Sequence, residues 1–355
     1  MPKNAPKKEA KAAPKHSGEA LTCLILVLFM IFEIFSVSVI TVRALRGDRP
    51  NDGPPPVETP DDPPSVPAIT MGDEVNSQFA ILINVDTGHV IAAKDPDTRF
   101  SPASMTKVMT LLVACERLTI EDLERRVPFT QEIVDCTTKG KYAGTSTSLP
   151  LESNGYTCIG DEYTIKDLLY GVGVASASDC TYMVATAVAG SEDAFVELMN
   201  QKASEMGLTD THFDNAVGID SANNYTTARE MAKIMSYAMQ YELIVDILKV
   251  RSGDFYIKAY YEMNGEMDEY KVKLDISLSS RLEKYPTFNP TTAKLTATKT
   301  GYTDQSFMVA AAEGLESGTR YVLVLGNETS SATTVTEKFR NTMIDIELIL
   351  NTYAK

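Results

Sequence analysis

The apolar positions of this chain change period several times along its length. Residues 21–42 are an almost unbroken run of Leu, Ile, Val, Phe and Met, about the twenty residues a bilayer-crossing helix needs. Past residue 70 shorter periods take over. Residues 78–85 and 89–94 read as two strands joined by a turn at Asp86-Thr87-Gly88, the pattern of a hairpin. Residues 108–114 are continuously apolar and follow Pro102 and a set of small residues, which predicts a buried helix entered through a turn. Residues 130–160 are rich in turn formers with little periodicity and read as a surface excursion. Helical spacing returns over 164–174, after Asp179 with a Met183, Val184, Ala187 and Val188 stripe, over 191–206, and over 227–240 and 241–249. Residues 251–276 alternate like paired strands, and 294–301, 306–313 and 319–326 read as three more before a closing helix at 337–351. Two strands, a helical middle, then three strands and a helix describe an α/β sandwich whose antiparallel sheet is assembled from both ends of the chain.

Composition divides the N-terminal part further. Residues 1–20 hold Lys3, Lys7, Lys8, Lys11 and Lys15 among scattered prolines, a disordered basic tail. The 21–42 run exceeds the roughly 7 to 15 apolar residues of a secretory signal, and the small triplet Ser36-Val37-Ser38 lies inside it. An uncleaved transmembrane anchor is therefore expected. Five lysines before it against Arg43, Arg46 and Arg49 after it put the N-terminus inside and the bulk of the chain outside the membrane. Residues 43–69 form a linker with eight prolines between Pro50 and Pro67, a stiff spacer with a reach on the order of 50 Å. A single globular domain of 70–355 remains. The whole chain carries a formal charge of −15 although its tail is basic, which argues against nucleic acid as a partner and against docking on an anionic membrane surface. Five cysteines are present. Cys115 and Cys180 fall on apolar helix faces, whereas Cys136 and Cys158 bracket a polar stretch where an extracytoplasmic setting permits a disulfide and the residues leave it open. No C-x-x-C or H-E-x-x-H pattern occurs, so neither a metal nor another cofactor is indicated.

Candidate chemistry centres on Ser104 and Lys107. On the first turn of the 108–114 helix, an i, i+3 spacing puts hydroxyl and amine on one face. A serine needs an adjacent base, and a lysine serves once its pKa is lowered. With only His16, His89 and His212 in the chain, a histidine-based triad has no well-placed base. One or two S-x-x-K matches arise by chance in about 350 residues, so two further motifs decide the reading. They are Ser176-Ala177-Ser178, on a loop between helices, and Lys299-Thr300-Gly301-Tyr302-Thr303, on a strand.

The three motifs in this order resemble the signature of penicillin-binding proteins and their β-lactamase relatives. The chain is most similar to the serine-type D-alanyl-D-alanine carboxypeptidases over roughly residues 75–350. Pro102-Ala103-Ser104, Asp167-Leu168-Leu169-Tyr170-Gly171, Thr211-His212-Phe213, Gly218-Ile219-Asp220 and Tyr225-Thr226-Thr227-Ala228-Arg229 carry the resemblance further. It implies a β-lactamase/DD-transpeptidase-like fold with a helical subdomain, and a peptidoglycan stem peptide ending in D-Ala-D-Ala as partner, with β-lactams as inhibitors. By resemblance, Ser104 attacks, Lys107 takes its proton and Ser176 relays it to the leaving amine. Lys299 keeps Lys107 neutral and attracts the substrate carboxylate, with Thr300 and Thr303 as donors. The backbone N–H groups of Ser104 and Tyr302 form an oxyanion hole, Ser178 contacts substrate, and Gly301 leaves room for a substrate along the strand. Ser178 stands where the family usually has Asn, and Asn224 where many members have His. No arginine follows the last strand in 327–334. A β-lactamase-type hydrolase and a non-catalytic penicillin-binding or cell-wall sensor are the alternatives. Asp179 and Glu192 are read as helix-capping acids and His212 as structural.

Overall fold

A computed structural model of the protein describes residues 67–153, 155–249, 253–276, 287–328 and 332–354. The tail, the 21–42 run and nearly all of the linker lie outside the described residues, among which no helix is long and apolar enough to cross a membrane.

In chain order the elements are β1 (Ile69–Thr70), β2 (Ser77–Asn84), β3 (Val90–Lys94), α1 (Thr106–Arg117), α2 (Ile120–Leu123), β4 (Arg126–Pro128), α3 (Gln131–Thr138), β5 (Glu152–Ser153), β6 (Tyr156–Thr157) and β7 (Glu162–Thr164). Then follow α4 (Ile165–Val174), α5 (Ser178–Ala189), α6 (Glu192–Glu205), α7 (Ala228–Ala238), α8 (Glu242–Leu248), β8 (Phe255–Met263), β9 (Glu266–Leu274), β10 (Ala293–Tyr302), β11 (Ser306–Gly314), β12 (Arg320–Glu328) and α9 (Val335–Tyr353). The main sheet has six strands in the order β1-β3-β2-β12-β11-β10, so the two ends of the chain meet at β2 and β12. All its pairings are antiparallel except β1 with β3.

The continuous apolar run of β2 has a direct cause. Phe79, Ile81 and Ile83 enter the core shared with the helical middle, while Ala80 and Leu82 enter a second core against Phe339, Met343, Ile346 and Leu350 of α9. Alternate side chains of a strand covered on both faces are all buried, so no polar position interrupts the run. The carboxylate of Asp345 on α9 closes this layer by accepting the backbone N–H groups of Asn76 and Ser77 at 3.0 and 2.7 Å. On the other face α1 is buried from Thr106 to Cys115, as its apolar run requires. The α/β sandwich is thus the architecture observed. A smaller sheet, β4-β7-β8-β9, flanks the helices.

Three local expectations are corrected. Ser104 lies not in the α-helix but in a 3₁₀ turn, Ala103–Met105, ahead of it. There Met105 N–H donates to the Pro102 carbonyl at 3.0 Å, and Ala103 holds a φ of +47°, so the regular helix starts later. Ser178 is the first residue of α5 rather than a loop residue. The 130–160 stretch is no mere surface excursion: it holds α3 and the β5–β6 hairpin, and Tyr142 within it is fully buried. Only Ile133, Val134 and Thr137 are buried on the short α3, too brief a stripe to register as a period. The question left open for Cys136 and Cys158 is also answered: both carry free thiols, as do Cys115 and Cys180.

Candidate active site

The turn that carries Ser104 is held by backbone contacts. Before it, Phe100 exchanges backbone hydrogen bonds with Thr226 at 2.9 and 3.0 Å, and its ring stacks on Phe79 and Phe307 with centroids 4.2 and 5.4 Å apart. The Tyr225–Arg229 motif therefore anchors the chain ahead of Ser104, with Thr227 capping α7 and Arg229 paired to Asp97. Two glycines flank the turn. A Cβ on Gly218, whose φ is +90°, would stand 1.9 Å from the Ala103 carbonyl oxygen, and one on Gly301 would stand 2.7 Å from that of Pro102. The close approach of the Ser104 turn is thus a reason for glycine at position 301.

Lys107 Nζ stands 3.1 Å from Ser104 Oγ and donates to the Val217 carbonyl at 2.6 Å. That carbonyl is itself fixed, because Thr110 Oγ1 donates to the Ala216 carbonyl at 2.7 Å and Asn215 Oδ1 accepts the Gly218 and Ile219 N–H groups at 2.5 and 3.0 Å. Burial pushes the Lys107 amine well below the usual lysine value; the charge of Lys299 pushes the same way and that of Asp179 opposes it. A neutral amine bonded to Val217 keeps its lone pair for the serine O–H.

Ser176 sits on the turn between α4 and α5 with a φ of +57°, a strained conformation that collects at functional sites. Lys299, on β10, reaches it from the sheet: Nζ donates to Ser176 Oγ at 3.0 Å and to the Thr300 carbonyl at 2.8 Å. Burial alone lowers this amine to about 7. Lys107 and Lys299 are both fully buried, and each presents its nitrogen to a serine that lines a cleft of about 670 Å³. Ser178, Thr300, Tyr302 and Thr303 line the same cleft. The structure brings the three motifs together, with Gly301 just behind the surface.

Other lining residues have no role assigned from the sequence, although Ile219 and Asp220 belong to a segment that carries the resemblance. Val217 and Ile219 come from the segment that holds Lys107, Asp220 accepts the Ser101 hydroxyl, and Phe339 reaches in from α9 beside Tyr302. Asp275 and Ile276 enter from the end of β9, and Gly144 to Ser148 line it from within the 130–160 stretch. No period in the sequence marks these residues. The residue that ties the last group down is Asp179, a first-turn acid that in the sequence looks only like a helix cap. It is buried, accepting Ser148 and Leu149 N–H at 2.9 and 2.8 Å, and burial holds its carboxyl above the usual range. Glu192 also does more than cap: it is buried and accepts the Ala216 N–H at 3.1 Å and Lys141 Nζ at 3.0 Å. His212 has the structural role expected, its Nδ1 2.6 Å from the Asn223 carbonyl. Asn224, also buried, donates to the Ile219 carbonyl at 3.2 Å. Among the described residues no group of three or more His, Cys, Asp and Glu stands close enough together to hold a metal ion.

The fold defines a class first. A mutant of the Streptomyces K15 DD-transpeptidase superposes with a TM-score of 0.61 at 22% identity, covering 79% of this chain and 98% of that one. A D-alanyl-D-alanine carboxypeptidase from Mycobacterium tuberculosis gives 0.59 at 22% identity, covering 83% and 99%. The architecture is that of the DD-peptidases. The chain belongs, more narrowly, to the D-alanyl-D-alanine carboxypeptidase family, peptidase family S11, which it matches over residues 65–329. It is 33% identical over 168 residues to D-alanyl-D-alanine carboxypeptidase DacF of Bacillus subtilis, an alignment spanning 47% of this chain and 40% of that protein. To DacC of Escherichia coli it is 32% identical over 160 residues, spanning 44% and 38%. The matched chain therefore spans about two fifths of the length of these curated relatives.

Proposed function

We propose that the protein is a serine-type D-Ala-D-Ala carboxypeptidase that removes the terminal D-alanine from peptidoglycan stem peptides through an acyl-enzyme. Ser104 Oγ attacks the carbonyl carbon between the two D-alanines while its proton passes to the neutral Lys107 amine. The oxyanion is received by the backbone N–H groups of Ser104 and Tyr302. Ser176, with Lys299 behind it, passes a proton to the departing amine of D-alanine, which breaks the C–N bond and leaves the shortened peptide as an ester on Ser104. Water then cleaves that ester and restores the hydroxyl. Lys299, Thr300 and Thr303 receive the terminal carboxylate, whose charge favours the protonated form of Lys299 against its burial, and Ser178 faces the acyl side. β-Lactams acylate the same serine. Residues 21–42 anchor the enzyme in the cell membrane as a single span, with 43–69 as spacer and the catalytic domain on the extracytoplasmic side.

The observation that carries this reading is the pairing of each cleft serine with a buried amine: Ser104 with Lys107 at 3.1 Å and Ser176 with Lys299 at 3.0 Å. Two amines of lowered pKa in one site have no structural need to be there, since burying a lysine costs free energy. The test is mass spectrometry of the full-length protein in detergent after penicillin, beside D-alanine release from a stem pentapeptide. A lasting adduct on Ser104 with pentapeptide cleavage is expected. Rapid turnover of the penicillin would assign a β-lactamase instead, and neither adduct nor cleavage would assign a non-catalytic wall protein.

A further inference from the structure

The wall formed by residues 141–149 is tied down at both ends by buried carboxylates. Glu192 takes Lys141 Nζ at 3.0 Å and the Tyr142 hydroxyl, and Asp179 takes the Ser148 and Leu149 N–H groups. Between them the Ser146 carbonyl accepts the Ser178 N–H at 2.7 Å, which sets the wall's register against the second motif. Burying carboxylates is costly unless they are well bonded, and here the cost fixes a run of small polar residues, Gly144 to Ser148, along the cleft. Ser178 lines the cleft but is only 1% exposed, whereas Ser146 and Thr147 are exposed, so the more open hydroxyls on this side belong to the wall.

We propose that residues 144–148 form a subsite for extended peptide upstream of the bond that is cut, with Ser146 and Thr147 hydrogen-bonding its backbone amides. A hydroxyl both donates and accepts, matching the alternating N–H and C=O groups of a peptide, and the segment offers neither a charge for an ion nor an aromatic face for a sugar ring. The inference rests on the carboxypeptidase reading for the identity of that peptide.

The test uses full-length protein in detergent with Ser104→Ala, which binds without turnover. Calorimetry compares its affinity for a stem pentapeptide with that of the Ser104→Ala/Ser146→Ala/Thr147→Val form, thermal melting confirming that both are folded. About tenfold weaker pentapeptide binding is expected, the scale of one or two lost neutral hydrogen bonds, with no change for N-acetyl-D-Ala-D-Ala, which has no upstream residues. Unchanged pentapeptide affinity, an equal loss for both ligands, or no pentapeptide binding by the parent form overturns the subsite. If the Ser104-intact protein releases no D-alanine while the parent form still binds pentapeptide with this selectivity, the carboxypeptidase reading fails and the subsite stands.

Discussion

The two walls of the cleft are built by different means. The wall carrying Ser104 is fixed by volume: the turn is wedged between Gly218 and Gly301, where an added Cβ would lie 1.9 and 2.7 Å from backbone oxygens, and α1 behind it is buried from Thr106 to Cys115. The wall at 141–149 is fixed by charge and hydrogen bonds, through Asp179 and Glu192. In the proposed mechanism the first wall holds the reacting atoms, for which a displacement of about 1 Å costs about a hundredfold. The other, on the proposed subsite, holds groups that only bind, where a lost bond costs far less. The first should fail steeply under any added atom, and the second gradually as its bonds are removed.

The steepest failure is expected at the proposed nucleophile. Ser104→Ala removes the only covalent handle the mechanism has, so mass spectrometry should find no penicillin adduct and pentapeptide cleavage should fall by at least about 10³-fold. An adduct of normal stoichiometry on this variant would relocate the active serine. Gly218→Ala tests the wedge itself. Its Cβ collides with the Ala103 carbonyl at a φ of +90°, so the turn or the 215–219 segment must move. Penicillin acylation should slow by about a hundredfold in a protein that still shows a cooperative melt, lowered by the roughly 1–3 kcal/mol of a backbone misfit. Normal acylation would mean that the turn tolerates displacement.

Between the walls stands Lys299, lowered to about 7 by burial. kcat/KM reports the free enzyme, which loses this cation as pH rises through that value. For a pentapeptide with a free carboxylate, kcat/KM should therefore decline above pH about 7, approaching tenfold per unit. Lys299→Arg, charged across the range, should remove that decline if the variant acylates at all with penicillin. An alkaline limb identical in the two proteins would assign it to another group.

The first wall was readable in the sequence and the second was not, for a physical reason. Ser104, Lys107, Ser176 and Lys299 announce themselves because chemistry demands fixed residue types at fixed spacing, and β2 or α1 because burial writes a period. Gly218 and Gly301 are visible as glycines, but the backbone that approaches them is distant in sequence, so no local pattern marks the close contact. Residues 144–148 have no period and no reactive group. Their place in the cleft is set by bonds to Asp179, more than thirty positions later, and a buried acid that holds a loop is indistinguishable in sequence from a helix cap.

Asp179 also supplies the gentlest test. Its carboxylate accepts three backbone N–H groups, those of Ser148 and Leu149 on one oxygen and Cys180 on the other. Asp179→Asn keeps one acceptor oxygen and opposes an NH₂ to the remaining donor, so the wall is loosened but not released. KM for pentapeptide should rise about three- to tenfold, with kcat changed less than KM. A role confined to packing would lower kcat as well and leave the pH profile alone. The charge itself gives a separate readout: Asp179 raises the Lys107 pKa, against the lowering by burial and Lys299. Removing it lets the amine fall further, so the acid limb of penicillin acylation should move to lower pH. A limb that stays in place, or moves to higher pH, would show that Asp179 holds the wall without being felt at the base.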